Sequence, residues 1–188
     1  MNTLFPVQPI LPTGFEYYSE FITVPEELQL IEAINKTELR PMIFQGFEAK
    51  RKVASFGYDW HFTTRTLSKG TDIPQPFDFV IKKVAAFLLI DHSAVAELLI
   101  TEYPIGSLIN WHRDAPPFDV IIGISLLSDC TLKLRPYDKQ KQNRRSLISI
   151  PVKRRSMYIM RGPSRSEWEH STGAVKEVRY SITLRTLK

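Results

Sequence analysis

The run Val178-Arg-Tyr-Ser-Ile-Thr-Leu-Arg185 alternates apolar and polar side chains without a break. Successive Cβ atoms on a strand point to opposite faces. Val178, Tyr180, Ile182 and Leu184 therefore share one face, and Arg179, Ser181, Thr183 and Arg185 share the other. The apolar face belongs against a core. The opposite face, with a guanidinium at each end, suits either solvent at a sheet edge or an enclosed polar space. At about 3.3 Å per residue the two arginine Cα atoms lie roughly 20 Å apart, and side chains reaching toward each other narrow the gap to less than about 10 Å. A short dianion with a carboxylate at each end fits such a gap, and arginine is the natural fork for carboxylates.

The rest of the chain sets this strand in context. Thr23-Val-Pro-Glu26 is a capping box with Pro in the first turn, and Leu28, Leu30, Ile31 and Ile34 follow it. That spacing predicts a helix over 24–36. Phe77, Val80, Ile81, Val84, Phe87 and Leu88 predict a second over 77–90. Residues 1–19, Pro-rich and aromatic (Phe5, Phe15, Tyr17, Tyr18), read as an extended lead-in on the surface. Residues 41–47 read as a short strand, and Lys50-Arg-Lys52 opens another that runs into Phe56-Gly-Tyr-Asp-Trp-His-Phe62, with Gly57 at its bend. From Glu97 the period becomes strand-like. Strands are expected over 98–103, 109–114, 118–127, 130–135, 146–152, 156–161 and 178–187, the fourth and fifth pairing as a hairpin. Phe118 to Leu127 is apolar apart from Asp119 and Ser125, which suits a strand buried on both faces. The expected fold is mainly β with flanking helices (α+β): a double-sheet jelly roll with two N-terminal helices braced on one sheet.

A chain of 188 residues, 43% hydrophobic and 24% charged, is expected to form one domain with a substantial core. Cys130 is the only cysteine, which excludes an internal disulfide or a thiolate cluster and suits a reducing, cytoplasmic setting. It falls at a strand start and is expected to be buried. The first residues lack the basic segment and apolar run of a secretory signal. The longest apolar stretch, Val84 to Ile90, is far too short to span a membrane. A net charge of +5 says little, but its distribution says more. Between Lys133 and Arg165 there are eleven Lys or Arg and one acid, Asp138. This is either a solvated basic hairpin or an electrostatic footprint for a polyanion.

In Asn110-Trp-His112-Arg-Asp114 the His and Asp are two apart, so an extended backbone puts both on one face. A later His, His170, can complete two imidazoles and one carboxylate, the facial set of non-haem Fe(II) oxygenases. With four His present, such a pair arises by accident in roughly one chain in three. His61 and His92 have no such partners and are read as structural.

In order, His112-x-Asp114, His170 and Arg179-Tyr-x-x-x-x-Arg185 resemble the AlkB family of Fe(II)- and 2-oxoglutarate-dependent dioxygenases, whose pattern is HxD…H…RxxxxxR on a double-stranded β-helix. Phe56-Gly-Tyr58, Glu102-Tyr103-Pro-x-Gly106 and Glu167-Trp-Glu-His170 extend the resemblance over most of the chain. It implies a single domain: residues 1–96 as N-terminal extension, helices and substrate lid, and 97–188 as jelly-roll core. It implies that His112, Asp114 and His170 bind iron. Arg179 would take the distal carboxylate of 2-oxoglutarate with help from Tyr103, and Arg185 would sit near the proximal carboxylate and steady Asp114. Thr101 and Ser181 stand where the family often has asparagines and reach less far.

The resemblance also implies the chemistry: oxidative decarboxylation of 2-oxoglutarate to succinate and CO₂ by O₂, coupled to hydroxylation of a C–H bond. Where that carbon is an N-methyl group, the product collapses to formaldehyde and the bare base. The expected substrate is an N-alkylated nucleobase in DNA or RNA, with the protein monomeric and independent of membranes. An extruded base needs flat side chains, and flanking phosphates need cations. Phe56, Tyr58 and Trp60 of the lid and Trp168, in strand phase with His170, are the candidates for the first. Trp111 has the opposite phase to His112 and is read as core. Lys50, Arg51, Lys52, Lys139, Lys141, Arg144, Arg145 and Lys153 to Arg155 are the candidates for the second. Pro116 stands where several base-demethylating relatives carry an acid, and the nearest acid is Asp119. A protein or small-molecule substrate, or a non-catalytic nucleic-acid-binding jelly roll, are the alternatives.

Overall fold

The computed structural model describes residues 10–44 and 47–188; Phe5 and the rest of the first nine residues, with Gln45 and Gly46 of the expected strand 41–47, lie outside them. The elements in chain order are β1 (Phe15–Tyr18), α1 (Val24–Asn35), β2 (Arg40–Phe44), β3 (Phe47–His61), β4 (Thr66–Lys69), α2 (Asp78–Leu88), β5 (Val95–Tyr103) and β6 (Ile109–His112). They continue with β7 (Phe118–Leu126), β8 (Cys130–Pro136), β9 (Ile148–Val152), β10 (Met157–Met160), α3 (Pro163–Ser166), β11 (Trp168–Thr172) and β12 (Arg179–Leu187). Helix α1 starts where its capping box requires. Thr23 accepts from the Glu26 N–H at 3.3 Å and Glu26 accepts from the Thr23 N–H at 2.7 Å, so two N–H groups without helical partners are satisfied.

The strands form two antiparallel sheets. The larger runs β1-β10-β7-β12-β5-β3-β2 with β4 on β3, and the smaller runs β6-β11-β8-β9. From β5 onward the chain passes back and forth between the sheets, which is the double-stranded β-helix expected. Both expected helices cover the outer face of the larger sheet. Leu30, Ile34, Val80 and Val84 pack there on Leu98, Ile100, Ile122, Ile124, Ile182 and Leu184. Burying each such side chain contributes about 1.5–3 kcal/mol. A second cluster, including Phe118, Ile121, Leu132, Leu134 and Ile150, fills one end of the space between the sheets. Strand β7 contributes to both clusters, as its largely apolar run predicts.

Several elements depart from the expected reading. The aromatic lead-in is not merely surface chain: β1 pairs with β10 from Phe15↔Met160 to Tyr18↔Met157, and Phe15 is buried. Strand β11, absent from the expected strands although Trp168 and His170 are read in one strand phase, lies between β6 and β8. Gly57 has φ +86°, and a Cβ there would meet the Ala96 carbonyl oxygen at 2.2 Å. Only glycine fits where β3 stops pairing with β5 and continues against β4. Among the described residues no helix is long and apolar enough to cross a membrane.

Candidate active site

Strand register assembles the site. Tyr103, Thr101 and Glu97 of β5 lie opposite Arg179, Ser181 and Arg185 of β12, all on the face turned toward the smaller sheet. On β6 and β11, His112 and His170 are direct antiparallel partners, which brings their rings to 4.2 Å between centroids. Asp114 lies just past the end of β6. The Arg165 guanidinium, from α3, donates to the carbonyls of Asp114, Ala115 and Phe118 at 3.0, 2.6 and 3.2 Å and so fixes that segment. An interior cavity of about 290 Å³ is lined by Glu97, Thr101, Tyr103, Arg179, Arg185, His112, His170 and Asp114, with Thr183 in the place of Ser181. The polar phase of the last strand thus faces an enclosed space, with Arg179 only 2% exposed.

The two arginines have different partners. Arg185 donates through Nε and Nη2 to Asp114 Oδ1 at 3.1 and 2.7 Å, and through Nη1 to Glu97 Oε2 at 2.6 Å. Glu97 Oε1 accepts from the Ser55 hydroxyl at 3.1 Å. Arg179 donates to the Ser125 hydroxyl at 3.0 Å and lies 4.8 Å from the Tyr103 ring centre, with no acid among its described partners. A dianion gripped by both arginines is therefore not what the geometry offers: Arg185 is already committed to two carboxylates, and Arg179 is the guanidinium left for an anion.

At the other end, His112 Nδ1 lies 2.8 Å from the Asn110 carbonyl oxygen, which can only accept, so the proton sits on Nδ1 and the Nε2 lone pair is free. His170 is buried. Burial pulls its pKa down to about 3, more strongly than Asp114 raises it, so at neutral pH it is an uncharged imidazole. Burial pushes the Asp114 carboxyl up, but Arg185, His170 and His112 together outweigh it and hold the carboxylate well below its usual range. Asp114 Oδ2 is buried, 3.6 Å from His170 Nε2, and accepts no hydrogen bond. A buried anionic oxygen without a donor is costly unless a cation satisfies it. These donors suit a divalent metal, with two imidazole lone pairs and one carboxylate oxygen lining the same cavity. They are not drawn in to coordination spacing: among the described residues no three His, Cys, Asp or Glu form a finished cage.

The substrate candidates separate. Trp60 lines an open groove of about 1520 Å³ that shares Met42, Phe62 and Asp114 with the interior cavity. Phe56 packs on the helix-side core and Trp168 on the cluster between the sheets, so neither lines the cavity or the groove, and Tyr58 borders a separate hollow beside Gly57. Trp111 carries the Arg135 guanidinium 4.2 Å above its ring and is half-buried rather than core. Alternation along β3 turns Arg51 inward, where it lines the cavity and donates to the Met42 sulfur, while Lys52 pairs with Glu102. Lys153, Arg154 and Arg155 pair with Asp129, Glu27 and Glu20 and are not free for phosphates. Lys139, Lys141, Arg144 and Arg145 are exposed, without an ion pair among the described residues. Cys130 lines the cavity, and burial pushes its thiol pKa up.

Sequence reasoning missed Glu97, Ser55 and Arg165. Glu97 had a signal: it shares strand phase with Thr101 and Tyr103. Arg165 had none, because its partners are carbonyls.

Two facing antiparallel sheets, enclosing a pair of imidazoles, a bare carboxylate oxygen and a buried guanidinium, define the class of non-haem iron oxygenases. The chain belongs to the 2OG-Fe(II) oxygenase superfamily, whose family model matches residues 14–185. It is similar to the mouse tRNA (carboxymethyluridine(34)-5-O)-methyltransferase ALKBH8, 30% identical over 167 residues that cover 85% of this chain and 24% of that protein. An Arabidopsis thaliana alkylated DNA repair protein ALKBH8 homolog is 26% identical over 178 residues, 84% of this chain and 50% of that one. The chain thus spans only a quarter to a half of these relatives. Its fold matches the solved structure of OsALKBH1 with a TM-score of 0.72 at 14% identity, covering 96% of this chain and 100% of that one. A Trichoplax adhaerens prolyl hydroxylase in complex with a hypoxia inducible factor peptide fragment matches with a TM-score of 0.66 at 14% identity, over 93% and 83%. The chain is an AlkB-like dioxygenase domain of the 2OG-Fe(II) oxygenase superfamily, which implies Fe(II), 2-oxoglutarate and O₂ as its cofactors and co-substrates.

Proposed function

We propose that the protein removes N-alkyl groups from nucleobases in DNA or RNA, releasing formaldehyde, succinate and CO₂. In this reading His112, Asp114 and His170 hold Fe(II), which when bound supplies the oxidising chemistry. Arg179, beside Tyr103 and Thr101, takes the distal carboxylate of 2-oxoglutarate. Arg185 keeps Asp114 ionised and oriented, and the buried strands around the cavity exclude water.

The observation that carries the substrate assignment is the groove that meets the interior cavity at Asp114. Its walls carry Arg65, Arg113, Arg165 and Lys188 against the single acid Asp114, with Trp60, Phe62 and Tyr137 among them. Arg113 stacks 3.5 Å over the Tyr137 ring at the start of the loop that bears Lys139, Lys141, Arg144 and Arg145. Cations interleaved with aromatic rings suit a strand of nucleic acid, whose phosphates and exposed bases need those two partners. The ALKBH8 homolog named for alkylated DNA repair, and those named for tRNA, support the same polymer class.

The test is formaldehyde release, with 2-oxoglutarate and Fe(II), from a panel of N-methylated DNA and RNA oligonucleotides. Release from at least one, weakening with salt and with Lys139, Lys141, Arg144 and Arg145 reversed to Glu, is expected. Succinate formation without formaldehyde or altered base across the panel would refute the nucleic-acid reading and leave the oxygenase intact.

A further inference from the structure

Glu97 is 4% exposed on the inner face of β5, and nothing in the proposed reaction touches it. Its position nevertheless bears on how the neighbouring carboxylate meets a metal. An arginine fork facing a carboxylate ordinarily gives one N–H to each oxygen. Here both Nε and Nη2 of Arg185 go to Oδ1 of Asp114, and Oδ2 is left bare. The third point of attachment accounts for this. Nη1 is tied to Glu97 Oε2, directly across the β5–β12 pair, and Glu97 Oε1 is tied to Ser55 on β3. Three adjacent strands therefore fix the rotation of one guanidinium.

We propose that Glu97 is a positioning residue for the metal: it holds Arg185 so that the guanidinium covers one oxygen of Asp114 and leaves the other open. The inference rests on Asp114 being a metal ligand. Without Glu97 the flexible arginine can turn to cover both carboxylate oxygens and compete with the ion. Keeping the guanidinium turned away from Oδ2 therefore favours a divalent cation there. Outer partners of metal ligands typically change metal affinity by about 10- to 100-fold when lost.

The experiment titrates the metal-free chain with Mn(II) or Co(II) in the absence of 2-oxoglutarate, following heat and the Co(II) absorption bands. Glu97→Leu should weaken affinity by about 10- to 100-fold and shift the Co(II) bands. Glu97→Gln keeps an acceptor for Arg185 and should lose less, and Ser55→Ala should move the same way as Leu but by a smaller factor. Circular dichroism and a thermal melt establish that each variant is folded. A folded Glu97→Leu protein with wild-type affinity and spectrum would overturn the proposal. Should that variant not fold, wild-type affinity in both Glu97→Gln and Ser55→Ala overturns it equally. Asp114→Ala distinguishes the two levels: if it binds metal like the wild type, the site reading itself has failed. If it abolishes binding while the Glu97 variants bind normally, only the role of Glu97 has failed.

Discussion

Replacing Arg185 with Met separates two buried acids from the guanidinium they share. The side chains of Asp114 and Glu97 are 4% and 5% exposed, so neither can turn to water for compensation. Breaking a buried pair by removing one partner costs about 3–5 kcal/mol, because it leaves an uncompensated buried charge. The cost has a ceiling, since a carboxylate left alone in a dry cavity takes up a proton instead. In the wild type, Asp114 has a depressed pKa. Its contribution to stability is therefore present above its unfolded value and is lost only as pH falls through the folded one, in strong acid. Burial already raises the Glu97 pKa despite Arg185, and in the variant both carboxyls are raised. A raised group contributes stability fully below its unfolded pKa and loses it as pH rises. The variant should therefore fall furthest behind the wild type in alkali. With both carboxyls titrating above their unfolded range, the deficit should grow steadily as pH rises from about 5.5 to about 8. Urea unfolding of both proteins in the presence of a chelator measures it, and taking the difference at each pH removes the titration of the histidines to first order. A deficit below about 1 kcal/mol, or one that does not grow with pH, would show that the two acids are not held by Arg185 as argued.

Arg179→Met removes a cation whose described hydrogen bonds are to the Ser125 and Tyr103 hydroxyls and not to an acid, and should raise KM for 2-oxoglutarate about 10- to 100-fold, the value of a charge-assisted hydrogen bond. Succinate assays check it, and an unchanged KM would place the distal carboxylate elsewhere. Glu27 is fully buried on α1 and accepts from Arg154 Nε at 2.7 Å and from the Leu127 N–H at 2.9 Å. Because Arg154 is 40% exposed and can rehydrate, Glu27→Ala should cost about 2 kcal/mol in urea unfolding, less than a fully buried pair, with KM for 2-oxoglutarate unmoved. A Cβ on Gly123 would meet the Tyr158 ring at 2.1 Å, so Gly123→Ala should cost about 1–3 kcal/mol and press that ring into the interior cavity it lines. Tyr158→Leu in the same chain should recover the stability; if it does not, the ring is not what the added methyl strikes.

What was legible in the sequence follows the range of the forces involved. Helices α1 and α2 and strand β12 are written in local periodicity, because each hides one face. The pairing of His112 with His170 is not local, yet the order of HxD, His and the arginine strand pointed to it. What could not be read depends on partners far along the chain. Lys153 to Arg155 looked like free cations, but Arg154 meets Glu27 across 127 positions and Arg155 meets Glu20 across 135. Phe15 looked like surface chain because its partner, Met160, lies on a strand formed almost at the other end. Trp168 has the strand phase expected of a cavity residue, but it packs on the cluster between the sheets and does not reach the cavity. Strand phase gives a face and says nothing of position along the strand axis.

The same distinction explains why a polar phase on β12 signals a site and not a surface. Strand β12 lies in the middle of its sheet, with the helices packed on one face and the smaller sheet enclosing a cavity against the other, so neither face meets bulk water. Arginine, serine, threonine and arginine on its inner face therefore need partners from within the fold. Arg185 finds two carboxylates, but Arg179 finds a serine hydroxyl and an aromatic ring, and Arg51 finds a thioether. Two guanidiniums line one small cavity with no acid among their described partners, while Asp114 Oδ2 lines the same cavity with no donor. Selection for stability alone would replace such groups with apolar side chains of similar volume, which commonly gains about 1–4 kcal/mol. In the proposed function, ligands complete them: an anion at the arginine end and a cation at the histidine end, the pair that 2-oxoglutarate and Fe(II) would supply.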